Sequence, residues 1–134
     1  MASDLSKYLG NKICRWLGGQ AMPAAPAALY IALYDGDPKA AGSDVTSTIN
    51  GTGRVTCSFT VPASNDTDNT LVNSSAANFG TAAGDTDVTH FAVFDSAVGG
   101  KRLGSKAVLG GTVHVLTGTP VSFEAGDLSF EIGS

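Results

Sequence analysis

Short apolar runs separated by turn-forming residues occupy most of the chain after residue 53, and they constrain its fold more than any other feature. In residues 54–61, Val55, Cys57 and Phe59 alternate with small polar residues. A period of two places successive side chains on opposite faces of a strand, so Cys57 is predicted to face the core. Further strands are predicted at 28–34, 71–72, 76–79, 88–95, 101–109, 112–116, 120–124 and 128–132. Short strands at regular spacing predict an all-β fold, either a single-domain antiparallel β-sandwich or a jelly-roll-like barrel.

Turn and loop residues support this interpretation. Gly99-Gly100 and Gly110-Gly111 are predicted to form hairpin turns, in which positive φ favours glycine. The sequence Asp35-Gly36-Asp37-Pro38 is a dense turn signal that ends the first strand. Residues 39–53 and 64–69 are small and polar and are predicted to be loops.

The N-terminal segment has a different period, because its apolar residues recur every three or four positions. This spacing predicts a short amphipathic helix that Ser3 caps and that Gly18-Gly19 ends. Two prolines in the segment that follows exclude a longer helix. We therefore expect a helical arm over residues 1–19 and a β-sandwich domain over residues 27–134, which form one compact domain overall. The apolar side of the helix is predicted to consist of Leu5, Leu9, Ile13 and Trp16.

The charge of the chain excludes some classes of partner. It carries 8 basic and 12 acidic residues, whereas a nucleic-acid-binding protein needs a basic surface to neutralise phosphates. No apolar run is long enough to span a membrane, and the charged N-terminal segment does not match a secretory signal. The sequence therefore predicts a protein made in the cytoplasm, with no nucleic-acid or membrane partner. Charged residues make up only 15% of the chain, against roughly 25% in typical soluble domains, which favours packing against neighbouring subunits.

Residues with catalytic chemistry are few and lie outside recognisable motifs. The only histidines, His90 and His114, belong to no nucleophile, metalloprotease or paired-cysteine motif. The stretch 99–106 departs from the phosphate-binding loop template, because Ser105 separates Lys106 from the preceding glycine. The sequence therefore predicts that the protein is not an enzyme and has no catalytic residues and no cofactor.

The acidic pairs and the cysteines each admit two interpretations. Asp35 and Asp37, and two similar pairs in later loops, offer oxygen ligands for a cation such as calcium. Asp also favours turns through its own backbone hydrogen bonds, and no complete calcium loop is present, so no metal site is predicted.

Cys14 and Cys57 lack metal-ligand spacing. Free thiols are expected in a reducing cytoplasm, and a disulfide formed outside the cell is the alternative.

Four segments, in order, resemble a family of small tailed-phage virion proteins that are often labelled phage tail fibre protein. Residues 29–38 read L-Y-I-A-L-Y-D-G-D-P and are similar to the L-Y-V-A-L-Y-x-x-D-P motif of that family. Members of the family also begin with a short helix. The resemblance extends from Leu5 to Ile132. The other three segments are residues 78–82, 88–95 and 125–128.

The resemblance implies a non-enzymatic structural protein of a tailed-phage virion. We expect a capsid decoration, or cement, protein that stabilises the head through contacts with the major capsid protein. A tail, neck or fibre component is the alternative. The protein is expected to assemble in the cytoplasm of the bacterial host and to form a homo-oligomer, for example a trimer. The predicted partner-binding residues are Tyr8, Lys12, Trp16, Asp35 and Asp37.

A host-glycan-binding module is a third hypothesis, because such sites offer an aromatic platform in a polar groove. Aromatic side chains suited to a platform are scarce, since the chain has one Trp and three Tyr. Tyr30 and Tyr34 lie in the first predicted strand and are expected to be buried. Copy number separates the first two hypotheses: hundreds of copies per particle indicate a cement protein, and a few dozen or fewer indicate a tail or neck component.

Overall fold

The computed structural model describes residues 4–62, 64, 69–108 and 111–131. All strand pairs in this part of the chain are antiparallel, which confirms the all-β class. The strands do not close into a barrel. The predicted short N-terminal helix is also confirmed. The helices are α1 (Lys7–Leu17), α2 (Thr46–Ile49) and a 3-10 helix (Pro38–Ala40). The strands are β1 (Tyr30–Asp35), β2 (Ser43–Asp44), β3 (Val55–Thr56), β4 (Thr70–Val72), β5 (Ala77–Thr81), β6 (Thr86–Val88), β7 (His90–Phe94), β8 (Arg102–Ala107), β9 (Val113–Val115), β10 (Pro120–Phe123) and β11 (Ser129–Glu131).

Helix α1 begins later than its sequence pattern predicts. Ser6 is the N-cap, and its side-chain oxygen accepts a hydrogen bond from the backbone N–H of Leu9 at 3.2 Å. Leu5 therefore precedes the helix instead of contributing to its apolar side. The predicted cap, Ser3, lies outside the described residues.

The predicted end of α1 at Gly18-Gly19 is confirmed. Gly19 has φ +98°, and its backbone N–H donates to the carbonyl of Trp16. The next N–H, that of Gln20, donates to the carbonyl of Arg15, which completes a Schellman-type termination. Glycine favours this position because it adopts positive φ without a steric cost.

The residues before α1 tie the N-terminus into the β-structure. The N–H of Ser6 donates to the carbonyl of Leu103, and the N–H of Ser105 donates to the carbonyl of Asp4, each at 2.9 Å. The carboxylate of Asp4 accepts a hydrogen bond from the N–H of Glu131 at 3.0 Å. This segment therefore connects β8 with β11 and fixes the point at which α1 leaves the β-structure.

The central sheet has the order β2–β1–β7–β8, and β3 also pairs with β1. Alternate residues of β1 and β7 form the centre of the core and are no more than 1% exposed. On the opposite face, Tyr30 and Tyr34 are half-buried, so the prediction that both tyrosines are buried is only partly correct. The core side chains of these two strands are Ile31, Leu33, Phe91 and Val93.

Three further pairs complete the fold: β4 with β11, β5 with β10, and β6 with β9. The predicted hairpin at Gly110-Gly111 is wrong, because the strands before and after it, β8 and β9, lie in different sheets. Gly111 does have the positive φ expected of a turn glycine, +85°, and Gly110 lies outside the described residues. The hairpin at Gly99-Gly100 is confirmed. It joins the paired strands β7 and β8, and its glycines have φ +64° and +67°.

Two predicted strands are interrupted. Residues 54–61 contain only the two-residue strand β3, followed by an isolated bridge between Phe59 and Asn73. Residues 88–95 divide at Thr89, because β6 pairs with β9 whereas β7 pairs with β1 and β8. The periodicity of the sequence predicts extended backbone here but does not show where the chain changes partner.

The predicted loop at 39–53 is wrong, because it contains α2, β2 and part of the 3-10 helix. Thr46, 3% exposed, explains the local structure: its hydroxyl oxygen accepts the N–H of Leu33 at 2.9 Å and donates to Asp44 Oδ1 at 2.6 Å. Ile49, on the same short helix, is buried in the core. These long-range contacts stabilise helical turns whose sequence has no apolar periodicity.

Asn73 is a buried polar side chain, 2% exposed, that holds the loop before β11. Its Nδ2 donates to the carbonyls of Ser75 and Glu124 at 2.9 and 3.0 Å. Its Oδ1 accepts the backbone N–H groups of Gly126 and Leu128 at 3.0 and 2.9 Å. All four hydrogen-bonding positions of the amide are used, as a buried amide requires.

Candidate functional site

Helix α1 lies on the surface of the molecule and packs along β8. None of its eleven residues is fully buried. One side of the helix is half-buried against the β-structure, and the opposite side is exposed. The half-buried side chains are Tyr8, Leu9, Lys12 and Ile13.

Trp16 continues the half-buried side of α1 but is itself exposed. It follows Ile13 by three residues and Lys12 by four, so the three side chains lie on one side of the helix. Even so, Trp16 is 57% exposed and the neighbouring Leu17 is 73% exposed. Met22, in the segment after α1, is a third exposed large apolar side chain. The fold therefore leaves three large apolar side chains exposed within positions 16–22.

The N-terminal half of α1 carries a concentration of positive charge. Nζ of Lys12 lies 5.4 Å from the centroid of the Tyr8 ring, and Nζ of Lys101 lies 5.7 Å from it, both within the range of cation–π attraction. A groove of about 410 Å³ adjoins Tyr8, and none of the described residues that line it is acidic. The cationic side chains that line this groove are Lys7, Lys39 and Arg102.

The structure places the five predicted partner-binding residues in two groups. Tyr8, Lys12 and Trp16 lie along one side of α1. Asp35 ends β1, and Asp37 caps the 3-10 helix, where its Oδ1 accepts a backbone N–H at 2.9 Å. The 3-10 helix contributes to the same groove as Tyr8, so the groups are neighbours, but Asp37 serves the turn in which it lies. The partner-binding role of all five residues stays a prediction.

A second groove lies elsewhere on the surface, beside β9 and β10, and we call it the β9–β10 groove. It has a volume of about 280 Å³, and no residue of α1 lines it. Asp127 forms part of its lining and accepts the backbone N–H of Glu124 at 3.0 Å. His114, also in the lining, lies 2.7 Å from Oδ1 of Asp87 through its Nδ1. The apolar lining consists of Val113, Val115, Pro120, Val121 and Phe123.

A further carboxylate lies near this groove at the turn between β5 and β6. Asp85 accepts the backbone N–H of Thr117 at 2.7 Å and the hydroxyl of the same residue at 2.8 Å. These hydrogen bonds, the backbone one first, lower the pKa of the Asp85 carboxyl. The side chain therefore stays ionised and joins the turn before β10 to the turn before β6.

Both cysteines are free thiols, so the alternative of a disulfide between them is not formed in this structure. Cys14 is exposed on α1, and Cys57 is half-buried and packs against the core, as its alternation with polar residues predicts. Burial raises the pKa of the Cys57 thiol to about 11. The two thiols therefore differ in access, and the raised pKa keeps Cys57 in its unreactive neutral form at neutral pH.

The residues considered as candidates for catalysis or metal binding do not lie together in the structure. Nδ1 of His90 lies 2.8 Å from the hydroxyl of Thr89, and His114 pairs with Asp87 on another sheet. Among the described residues, no three His, Cys, Asp or Glu side chains gather in a group that could hold a metal ion. The helices of the described part are too short and too polar to cross a membrane.

Two features of these surfaces were not predicted. The first is the position of two basic residues: Lys101 approaches Tyr8, and Arg102 is half-buried and donates a hydrogen bond to the carbonyl of Pro38 at 3.2 Å. The β9–β10 groove was missed altogether. The sequence indicates only the charge of this segment, since residues 107–131 contain no Lys or Arg.

Comparisons with known proteins bear on these surfaces. A search of the curated proteins finds no match to this chain. Residues 4–131 match a family model described as podophage GP4 fiber I protein gp80, and this match spans α1, both grooves and every strand. The chain therefore belongs to this family of phage fibre proteins and is a structural component of a tailed-phage virion.

Proposed function

We propose that the protein is a subunit of a phage fibre and that α1 joins it to a neighbouring virion protein. The description of the family names a fibre protein, which favours the tail, neck or fibre hypothesis over capsid decoration. The observation that carries the role of α1 is the exposed end of its apolar side. Trp16 lies where the half-buried stripe passes beyond the β-structure, and 57% of its surface is open.

The chemistry of α1 suits an interface better than it suits the fold. Exposed tryptophan and arginine side chains are the residues that most often dominate binding energy at protein interfaces, and Trp16 and Arg15 are adjacent here. The helix carries three basic residues and no acidic one, although the whole chain is acidic. We therefore expect a partner whose surface combines an apolar recess with negative charge.

Replacement of Trp16 tests this role. The Trp16→Ala protein should fold normally, but its amount per phage particle should be at least several-fold lower than that of the unaltered protein. The reason is that the substitution removes the apolar side chain that anchors α1 to its partner. The measurement is the amount of the protein per purified particle, determined by quantitative mass spectrometry against the major capsid protein. Circular dichroism and thermal unfolding of the purified variant establish that it is folded.

Val98→Ala is the matched control, because Val98 is an apolar residue that is 86% exposed in the turn between β7 and β8. This variant should enter particles normally. Equal incorporation of Trp16→Ala and the unaltered protein would contradict the proposed role of α1.

Copy number and position test the assignment to a fibre. A fibre subunit should be present in a few dozen copies or fewer, and an antibody or gold label should mark the tail of the particle. Hundreds of copies spread over the head would contradict the proposal and would restore the capsid decoration hypothesis.

A further inference from the structure

Positive and negative charge are separated along this chain. Residues 5–34, which include α1, contain three basic residues and no acidic residue. Residues 107–131, which include β9, β10 and β11, contain three acidic residues and no basic residue. No residue of α1 lines the β9–β10 groove, so one molecule presents a basic helix and, apart from it, a groove with an acidic rim.

The β9–β10 groove is an apolar recess with an acidic rim. Val113 at its wall is 39% exposed, and Phe123 is half-buried, so apolar surface is open to a ligand. Asp127 lines the groove, and Glu124 is hydrogen-bonded to it through its backbone. No Lys or Arg lies among the described residues that line the groove. A cation that approaches this rim meets carboxylates without a competing positive charge.

The C-terminal end of α1 has the opposite character. Trp16 and Leu17 project as exposed apolar side chains. Lys12 lies one turn before Trp16 on the same side, and Arg15 is exposed beside it. An apolar anchor flanked by cations thus lies on one part of the molecule, and an apolar recess with an acidic rim lies on another.

We infer that the Trp16 end of α1 in one copy of this chain docks into the β9–β10 groove of a second copy. This inference rests on the proposed function, since it names the neighbour to which α1 attaches. Trp16 fills the apolar recess, while Arg15 and Lys12 face Glu124 and Asp127 across its rim. Both halves of the contact come from the same sequence, so charge complementarity selects a second copy as the occupant.

The contact is heterologous, because two different surfaces of the chain meet. A docked pair still offers a free groove on one copy and a free α1 on the other. Such a contact repeats until a ring closes or a filament forms, unlike a two-fold contact, which stops at a dimer. A linear or ring-like array of copies follows directly from this geometry.

Sedimentation of the purified full-length chain over a concentration series tests the inference. The unaltered chain should associate beyond the dimer, and added salt should weaken the association because charges are paired across the rim. Trp16→Ala and Val113→Arg should each weaken association about tenfold or more, the first by removing the anchor and the second by placing a cation in the groove. Each variant is checked for folding by circular dichroism.

A mixture of these two variants distinguishes head-to-tail contact from other modes. Trp16→Ala retains its groove and Val113→Arg retains its helix, so the mixture should form heterodimers and nothing larger. Failure of the mixture to form a heterodimer would overturn the inference.

Exchange of charge provides an independent arm. Arg15→Glu and Glu124→Arg should each weaken association, and the chain that carries both should recover it, because the pair is restored in the opposite sense. Glu124 suits this exchange because its hydrogen bonds with Asn73 and Asp127 use its backbone carbonyl and N–H. Absence of recovery in the folded double variant would also count against the inference.

The outcomes separate this inference from the proposed function. A chain that stays monomeric at all concentrations, while Trp16→Ala still fails to enter particles, would overturn the second-copy assignment and leave a different virion protein as the partner of α1. Normal entry of Trp16→Ala into particles would instead contradict the proposed function itself.

Discussion

Helix α1 and the β-structure to which it is attached are built from different chemistry. The β-structure buries its apolar side chains and pairs its most buried amide, Asn73, at all four positions. Helix α1 buries no residue completely and leaves Trp16 open. The sequence of the β-structure is therefore explained by folding, whereas that of α1 is explained only in part. We assign the exposed apolar end of α1, which folding does not explain, to binding a partner.

The largest effect on stability is expected at Asn73. Asn73→Ala removes hydrogen bonds to four backbone groups, among them the buried N–H of Leu128, and should lower the free energy of unfolding by about 3–4 kcal/mol. Urea unfolding measures this loss. The matched control is Asn78→Ala, since Asn78 is exposed and accepts one backbone N–H, that of Gly80. A loss there as large as that of Asn73→Ala would contradict the account of the core.

A smaller loss is expected at Gly42. A Cβ atom at this position overlaps the carbonyl of Gly36 and approaches that of Asp37, both of which are backbone groups that cannot rotate away. Gly42→Ala should therefore lower the free energy of unfolding by about 1–3 kcal/mol, measured by urea unfolding. Gly51→Ala is the control, because no atom lies within 4 Å of the Cβ position there. Similar stability of the two variants would show that the turn after β1 is not held as described.

A pH-dependent effect is expected at Cys57. Burial raises the pKa of this thiol in the folded chain to about 11, above the ordinary value of 9.0. The folded state therefore favours the neutral thiol, and its contribution to stability is complete below pH 9 and is lost as the pH rises through 11. The difference in unfolding free energy between the unaltered chain and Cys57→Ala should change in that direction between these pH values. A constant difference would contradict the burial of the thiol.

The smallest effect on stability is expected in α1 itself. Trp16→Ala should change the free energy of unfolding by less than about 1 kcal/mol, because most of the side chain is already in contact with water. Thermal unfolding of this variant beside Asn73→Ala compares the two regions directly. A loss at Trp16 close to that at Asn73 would mean that the helix is part of the folding core, and the comparison would fail.

The sequence predicted the class of fold because period-two alternation and glycine turns are local signals. The strand around Ile31 and Leu33, the Gly99-Gly100 hairpin and the end of α1 were all predicted from such signals. Pairing between distant strands was not predictable in this way. The division at Thr89 depends on which strands lie beside β6 and β7, and no local pattern encodes that choice.

The same limit applies to the candidate surfaces. Helical spacing predicted which side chains of α1 are neighbours, and Leu9, Ile13 and Trp16 do belong to the helix, but the partner-binding role of Tyr8, Lys12 and Trp16 stays a prediction. The β9–β10 groove depends on the tertiary arrangement of three separate segments and was missed. The helix cap was predicted at Ser3, whereas the structure has it at Ser6. Both serines fit the residue preference of an N-cap, so the sequence alone did not separate them.

The claim that α1 is exposed in the free chain and covered in the virion can be tested at the native thiol of Cys14. Cys14 is an exposed residue of α1, so a thiol reagent should label it quickly in purified protein that is diluted until it is monomeric. In intact particles the account predicts labelling that is several-fold slower, because a neighbouring subunit covers the helix. Cys57 serves as the internal reference, since its access is limited by the fold of the chain. Labelling of Cys14 at the same rate in particles and in the free protein would contradict the account.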